Sequence, residues 1–127
     1  MTENEIAREV VDIAFKMHNK LGPGLLESVY HKIMVYELHK RGLAVEAERP
    51  IQVVWDDLVF DIGFRADIVV ENLVIIELKS VEETSRLHKK QLVTYLRLAD
   101  KRLGLLINFG AELIRDGISR VVNQLAE

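Results

Sequence analysis

The chain contains no cysteine. That absence removes disulfide frameworks, thiolate metal sites and thiol nucleophiles, and it agrees with a reducing cytosol. Aromatic residues make up only 6% of the sequence and are scattered, so Tyr36, Trp55 and Phe109 are expected in the core or at its rim rather than as a base-stacking platform. No apolar run approaches the ~20 residues that span a bilayer. The opening residues MTENEIAREVV lack the basic start and long apolar stretch of a secretion signal. A soluble, cytoplasmic protein with no membrane contact is the expectation. Positive charge is not in excess either: 17 Lys and Arg stand against 20 Asp and Glu, for a net charge of −3 and a pI near 5.8. Bulk attraction to nucleic acid is thereby excluded, and any such contact must be local. The four histidines, His18, His31, His39 and His88, show no H-x-x-x-H or H-E-x-x-H spacing, which disfavours zinc. Gly22-Pro23-Gly24 precedes a helix but lacks the lysine and hydroxyl of a P-loop, and no G-x-S-x-G elbow occurs.

What remains is a chain of 127 residues, 49% hydrophobic, with two prolines and no internal repeat or linker. It reads as a single domain over residues 1–127, large enough to bury about two thirds of its unfolded surface. Thr2-Glu3-Asn4-Glu5 is a capping box, followed by Ile6, Val10, Ile13, Ala14, Met17 and Leu21 at helical spacing. His18, near the end of that helix, is expected at the surface, where the helix dipole mildly favours a cation. Leu21 to Gly24 breaks the helix. A second helix is predicted from about Leu25 to Arg41, closed by Gly42, with Leu26, Val29, Tyr30 and Ile33 on its apolar face. Glu27 falls beside that face, in a stripe with His31, Met34 and Leu38. It points toward protein or a cleft, or it is simply a first-turn acid complementing the dipole.

Val45 to Trp55 reads as one strand or two short ones, with Pro50 implying an edge position or a bulge. Asp56-Asp57 is a turn, Leu58 to Val70 the next strand with Gly63 as a bulge or close approach, and Leu73 to Lys79 the third. Such short turns make an antiparallel meander. A third helix is predicted over about Ser85 to Ala99. It carries the only basic concentration in the chain, and Leu87, Gln91, Thr94, Tyr95 and Leu98 would turn inward or toward the sheet edge. Leu103 to Ile107 is a buried strand, parallel to a neighbour because a helix precedes it. Asp116-Gly117 is expected to turn a hairpin joining residues 113–115 to 118–122, with a helical alternative.

Asp61 to Ser80 carries the unusual chemistry. Alternation puts Glu77 and Lys79 on one sheet face with Ile75, and Val74, Ile76 and Leu78 on the other. Pairing across Glu71-Asn72 brings Asp67 near Glu77. A hard cation such as Mg²⁺ needs one or two carboxylates plus waters and substrate phosphate, and Asp67 with Glu77 meets that demand. Lys79 could position an attacking water, and Glu27 could add an oxygen if its helix packs against this sheet. The competing account is a solvated ion pair between Glu77 and Lys79, with Asp67 opposite Lys79 or Arg65.

The segment Gly24-Leu25-Leu26-Glu27-Ser28-Val29-Tyr30 resembles the signature of the GxxExxY family, grouped with the PD-(D/E)XK nuclease superfamily. The resemblance continues through Phe64-Arg65-Ala66-Asp67, Ile76-Glu77-Leu78-Lys79, Gln91 to Leu96 and Gly104 to Phe109, so it covers nearly the whole chain. It implies an α/β fold with a mixed sheet: a restriction-endonuclease-like α-β-β-β-α-β core, here with an extra N-terminal helix and a C-terminal strand or hairpin. It also implies that Asp67 and Glu77 bind Mg²⁺ or Mn²⁺, that Lys79 supports the nucleophilic water, and that Glu27 completes the acidic site. Gln91 and Tyr95 become contacts for substrate or metal-bound water. Ala66 stands where the superfamily name has proline, a position without required chemistry. The expected activity is Mg²⁺-dependent hydrolysis of phosphodiester bonds in DNA or RNA, with the basic helix, including Lys89 and Lys90, meeting phosphates. The alternative is a catalytically silent binding or protein-interaction module. A homodimer is expected if both strands of a duplex are cut.

Overall fold

The computed structural model describes residues 1–126, so Glu127, the last residue of the expected domain, lies outside the described residues. The elements in order are α1 (Glu3–Leu21), α2 (Glu27–Lys40), β1 (Val45–Trp55), β2 (Leu58–Val70), β3 (Val74–Lys79), α3 (Arg86–Ala99), β4 (Leu103–Asn108), a helical turn α4 (Ile114–Gly117) and β5 (Ile118–Val122). The five strands form one sheet in the order β1-β2-β3-β4-β5. β1, β2 and β3 are an antiparallel meander, β3 and β4 are parallel, and β5 returns antiparallel to β4. The crossover through α3 permits the parallel pair, since two parallel neighbours cannot be joined by a tight turn.

The sheet divides the interior into two layers. Ile68, Val70, Val74, Ile76, Leu78, Leu103, Leu105 and Ile107 pack beneath α1 and α2. Val69, Ile75 and Leu106 face Leu92 and Leu96 of α3. Strands covered on both faces read as unbroken apolar runs, as β3 and β4 do. The charged residues of β3 lie on the α3 side, as alternation requires. α1 begins with both halves of its capping box formed, Thr2 Oγ1 accepting from the Glu5 amide at 3.2 Å and Glu5 Oε1 from the Thr2 amide at 2.9 Å.

β1 is an unbroken edge strand, which explains how Pro50 is tolerated. Its pairing with β2 shifts between Ile51 and Val53, where Asp61, Ile62 and Gly63 oppose the single residue Gln52. Gly63 is required there because a Cβ would run into the Val53 side chain.

Several expectations are corrected. His18 is buried, not at the surface, with Nε2 2.8 Å from the main-chain oxygen of Ala111. The loop after β4 covers the end of α1, a long-range contact invisible in the helix sequence. α2 begins at Glu27 and buries Tyr30, Met34 and Leu38, while Leu26 and Val29 are exposed. The buried face is therefore rotated toward the stripe containing Met34 and Leu38. On α3 the inward residues are Leu92 and Leu96; Leu87, Gln91 and Leu98 are exposed. Two apolar stripes one residue apart compete on that helix, and the one that packs against the sheet wins. The 113–115 segment pairs with no strand. Its residues 114 and 115 open the α4 turn with Leu113 as N-cap, which is the helical alternative, and β5 finds its partner in β4 instead.

Candidate functional site

The ladder between β2 and β3 runs Val70↔Val74, Val69↔Ile75 and Ile68↔Ile76. One step further it changes character. The main-chain amide of Asp67 donates to Glu77 Oε2 at 2.8 Å, and the amide of Leu78 donates to Asp67 Oδ2 at 2.9 Å. Each carboxylate thus captures an amide of the opposite strand and is fixed against the sheet. Asp67 Oδ1 and Glu77 Oε1 accept no hydrogen bond among the described residues, and neither is sealed from solvent.

Two carboxyl groups held this closely disfavour simultaneous ionisation. Glu77 is only 9% exposed. Burial, then the charge of Asp67, pushes its pKa up to about 8, against the opposing pull of the Asp67 amide and the Lys79 ammonium. Asp67 is likewise raised, chiefly by burial, with the Leu78 amide, Lys79 and His31 acting the other way. A hard cation facing the two free oxygens would remove this mutual repulsion, and an all-oxygen donor set suits Mg²⁺ or Mn²⁺. The residues present therefore fit such an ion.

Lys79 follows Glu77 by two residues on the same face. It makes no ion pair with Asp67 or Glu77, and neither does Arg65. The solvated-salt-bridge account of these charges is therefore not what the geometry presents.

Glu27 is positioned by a device in the G-x-x-E-x-x-Y segment. The Tyr30 hydroxyl donates to the Gly22 carbonyl at 2.6 Å and accepts from the Leu25 amide at 3.2 Å. Gly22 and Gly24 supply the positive φ values, 71° and 104°, that the loop needs. The Tyr30 ring stacks on Phe109, 4.4 Å between centroids, and Ser80 Oγ donates to the Leu25 carbonyl at 2.7 Å. The loop before α2 is thus tied to both the helix and the end of β3. Glu27 is exposed, on the cleft side rather than within protein. Its charge contributes to the raised pKa of Glu77. It lines a 650 Å³ groove with Ser28, His31, Lys32, Val35, Ala47, Glu48 and Asp67.

Tyr95 reaches the same region from α3. Its ring stacks on Phe64 at 3.9 Å, and its hydroxyl pKa is raised by burial and then by the charges of Glu77 and Asp67. Gln91, Lys89 and Lys90 are exposed and make no side-chain hydrogen bond or ion pair with these groups. The fold sets Asp67 beside Glu77, with Lys79, Glu27 and Tyr95 near enough to act on or feel their charge, although among the described residues no three acidic or histidine side chains form a ready metal cluster. Gln91 is exposed one helical turn before Tyr95, and Lys89 and Lys90 are exposed beside it.

One neighbour escaped the sequence reading. His31 Nε2 lies 2.9 Å from the main-chain oxygen of Asp67 and 3.9 Å from Glu48 Oε1. The available signal was its place one helical turn after Glu27; a search limited to zinc spacings passes over it.

The chain matches the family described as the PD-(D/E)XK nuclease superfamily over residues 4–121. No curated protein and no solved structure matches it. The matched stretch runs from α1 into β5 and includes both carboxylates that capture strand amides, so the five-strand mixed sheet is of the restriction-endonuclease-like kind. With the family match spanning most of its length, the chain belongs to the PD-(D/E)XK nuclease superfamily.

Proposed function

We propose that this protein is a Mg²⁺- or Mn²⁺-dependent nuclease of the GxxExxY type, cytoplasmic, working as one nuclease-like unit over residues 1–127. The observation that carries this reading is the reciprocal capture of strand amides by Asp67 and Glu77, which leaves the second oxygen of each without a hydrogen bond among the described residues. Asp67 and Glu77 would hold the ion and Glu27 would add a third carboxylate. A bound divalent cation supplies polarisation of the scissile phosphate and a more acidic water. Lys79, unpaired and beside the carboxylates, orients the attacking water and offsets charge developing on the phosphate. Tyr95 offers a hydroxyl to substrate or to ordered water. Lys89, Lys90 and Gln91, all exposed on α3, would meet a nucleic-acid backbone that extends past that helix.

The direct test is incubation of the purified protein with single- and double-stranded DNA and RNA in Mg²⁺ or Mn²⁺. Cleavage is expected in at least one arm, and it should vanish in Asp67→Ala and Lys79→Ala proteins. Cleavage surviving in both variants overturns the assignment.

The second reading is a silent nuclease-fold binding module. The raised pKa of Glu77 favours it to this extent: a neutral acid in that place is stable without any ion. Calorimetry separates the two readings, because Mn²⁺ binding that is lost in Glu77→Gln argues against a silent site.

A further inference from the structure

Away from the carboxylates, two cations converge on one neutral oxygen. Arg49 Nη1 donates to Asn72 Oδ1 at 2.6 Å, and Lys101 Nζ donates to the same atom at 3.1 Å. The two charged nitrogens therefore lie within about 6 Å of one another, where like charges disfavour each other. Lys101 forms no ion pair among the described residues. Arg49 has only Glu46, 3.7 Å away and outside hydrogen-bond reach. Asp100 is taken by Arg102 at 3.0 Å. The Lys101 ammonium is held below its ordinary pKa, by burial first and by the Arg49 charge second, with Asp100 and Glu46 acting the other way.

The three side chains come from distant parts of the sequence, and two of them are fixed through the main chain. Asn72 occupies the turn between β2 and β3 in the left-handed region, φ 54°, which asparagine tolerates better than most residues. Lys101 follows the left-handed Asp100 that ends α3; its amide donates to the Leu96 carbonyl at 2.9 Å, and its carbonyl accepts from Asn123 Nδ2 at 3.0 Å. Arg49 extends from β1, where it opposes Ala66. Asn72 and Lys101 each stand two residues before the paired Val74 and Leu103, so the cluster lies at the end of β3 opposite Lys79. A carboxylate in the place of Asn72 would neutralise these cations. A carboxamide only spaces them, and it leaves donors unused, since a guanidinium carries five N–H groups and an ammonium three. Phosphate oxygens accept several such donors at once and cancel the repulsion.

We propose that Arg49, Lys101 and Asn72 form a phosphate-binding site separate from the carboxylate pair, with the two cations as ligands and Asn72 as the group that holds them in register. The chemistry recognised is a phosphoryl group, supplied by free phosphate or by a nucleic-acid strand passing over this end of the sheet. The site does not depend on cleavage.

The test is a titration of the whole protein with inorganic phosphate in EDTA, at ionic strength held constant with sodium chloride. It is followed by the NMR signals of the Asn72 side-chain amide and the Lys101 main-chain amide. Both should shift saturably, with half-saturation at millimolar phosphate. Arg49→Gln and Lys101→Gln should each weaken binding about fivefold or more, whereas Arg49→Lys, which keeps the charge, should lose less. Glu77→Gln should bind phosphate like the wild type, so the outcome is independent of the nuclease reading. A short single strand of DNA added in EDTA separates the two sources. Displacement of phosphate assigns the site to a nucleic-acid backbone, and phosphate binding undisturbed by DNA assigns it to the free ion. No saturable shift up to about 50 mM phosphate overturns the proposal. So does wild-type affinity in both glutamine variants, or the same shifts produced by sodium chloride alone.

Discussion

Asp67 and Glu77 hold one another's strands: the amide of Asp67 is bonded to Glu77, and the amide following Glu77 is bonded to Asp67. Chemistry and sheet geometry are therefore joined in the same two side chains, and substitutions there should separate the two roles.

Glu77→Gln retains an oxygen to accept from the Asp67 amide and removes the carboxyl repulsion. Its thermal stability without metal should equal or exceed that of the wild type at pH 8, while divalent-ion binding and cleavage fall by at least about 100-fold. Glu77→Ala leaves the amide without its acceptor and should cost about 1–3 kcal/mol. Thermal melts with Mn²⁺ titrations check both. Equal destabilisation by the two substitutions would show that the hydrogen bond contributes nothing.

The pH dependence has a defined sign. The folded protein keeps the Glu77 proton up to about pH 8, whereas a carboxyl in the unfolded chain releases it near 4.5. The raised group contributes stability that is complete below the unfolded value and is lost as pH climbs through about 8. Asp67 is shifted in the same direction. Melting temperature in EDTA should fall between pH 5.5 and 8.5 by about 4 °C or more, the shift expected for ~1 kcal/mol in a domain of this size. The fall should be smaller in Glu77→Gln. Ion binding should strengthen over the same range, because the metal competes with the proton. A wild-type melting temperature that is flat or rising in EDTA would reject the pairing described.

Tyr30→Phe keeps the stack on Phe109 but strands the Gly22 carbonyl and the Leu25 amide. A loss of about 1–2 kcal/mol is expected. Cleavage should drop because Glu27, three residues earlier, is no longer held in place. Turnover at wild-type level in this variant would mean that the loop has no part in positioning Glu27.

His31→Ala should weaken divalent-ion affinity about 10-fold, the effect typical of groups that fix a ligand from behind, since it removes the anchor on the Asp67 carbonyl. Calorimetry at fixed pH measures it, and wild-type affinity would assign His31 to packing alone.

Local and periodic signals were enough to read the strands. The limits of β1 and β2, the role of Gly63 and the opposition of Asp67 to Glu77 all follow from turn residues and an alternation of two. Helix faces were less legible. On α2 and α3, apolar residues occupy two adjacent stripes, and only contact with the sheet decides between Val29 and Met34, or between Leu87 and Leu92. Contacts between distant segments left no local trace, as with His18 on Ala111 and His31 on Asp67. Trp55 belonged in the core or rim by composition, yet it stands at the end of an arm, because a hairpin's length does not reveal how far the neighbouring strand follows it.

The exchange of amides between Asp67 and Glu77 also bears on how relatives of this chain should be read. A descendant that gave up cleavage would still need acceptors for those two amides, so it would be slow to discard either acid. The Lys79 side chain carries no such duty: it makes no hydrogen bond or ion pair among the described residues, and architecture alone would let it drift. Among sequences with this fold, the lysine rather than the acids is the position whose loss marks a retired enzyme.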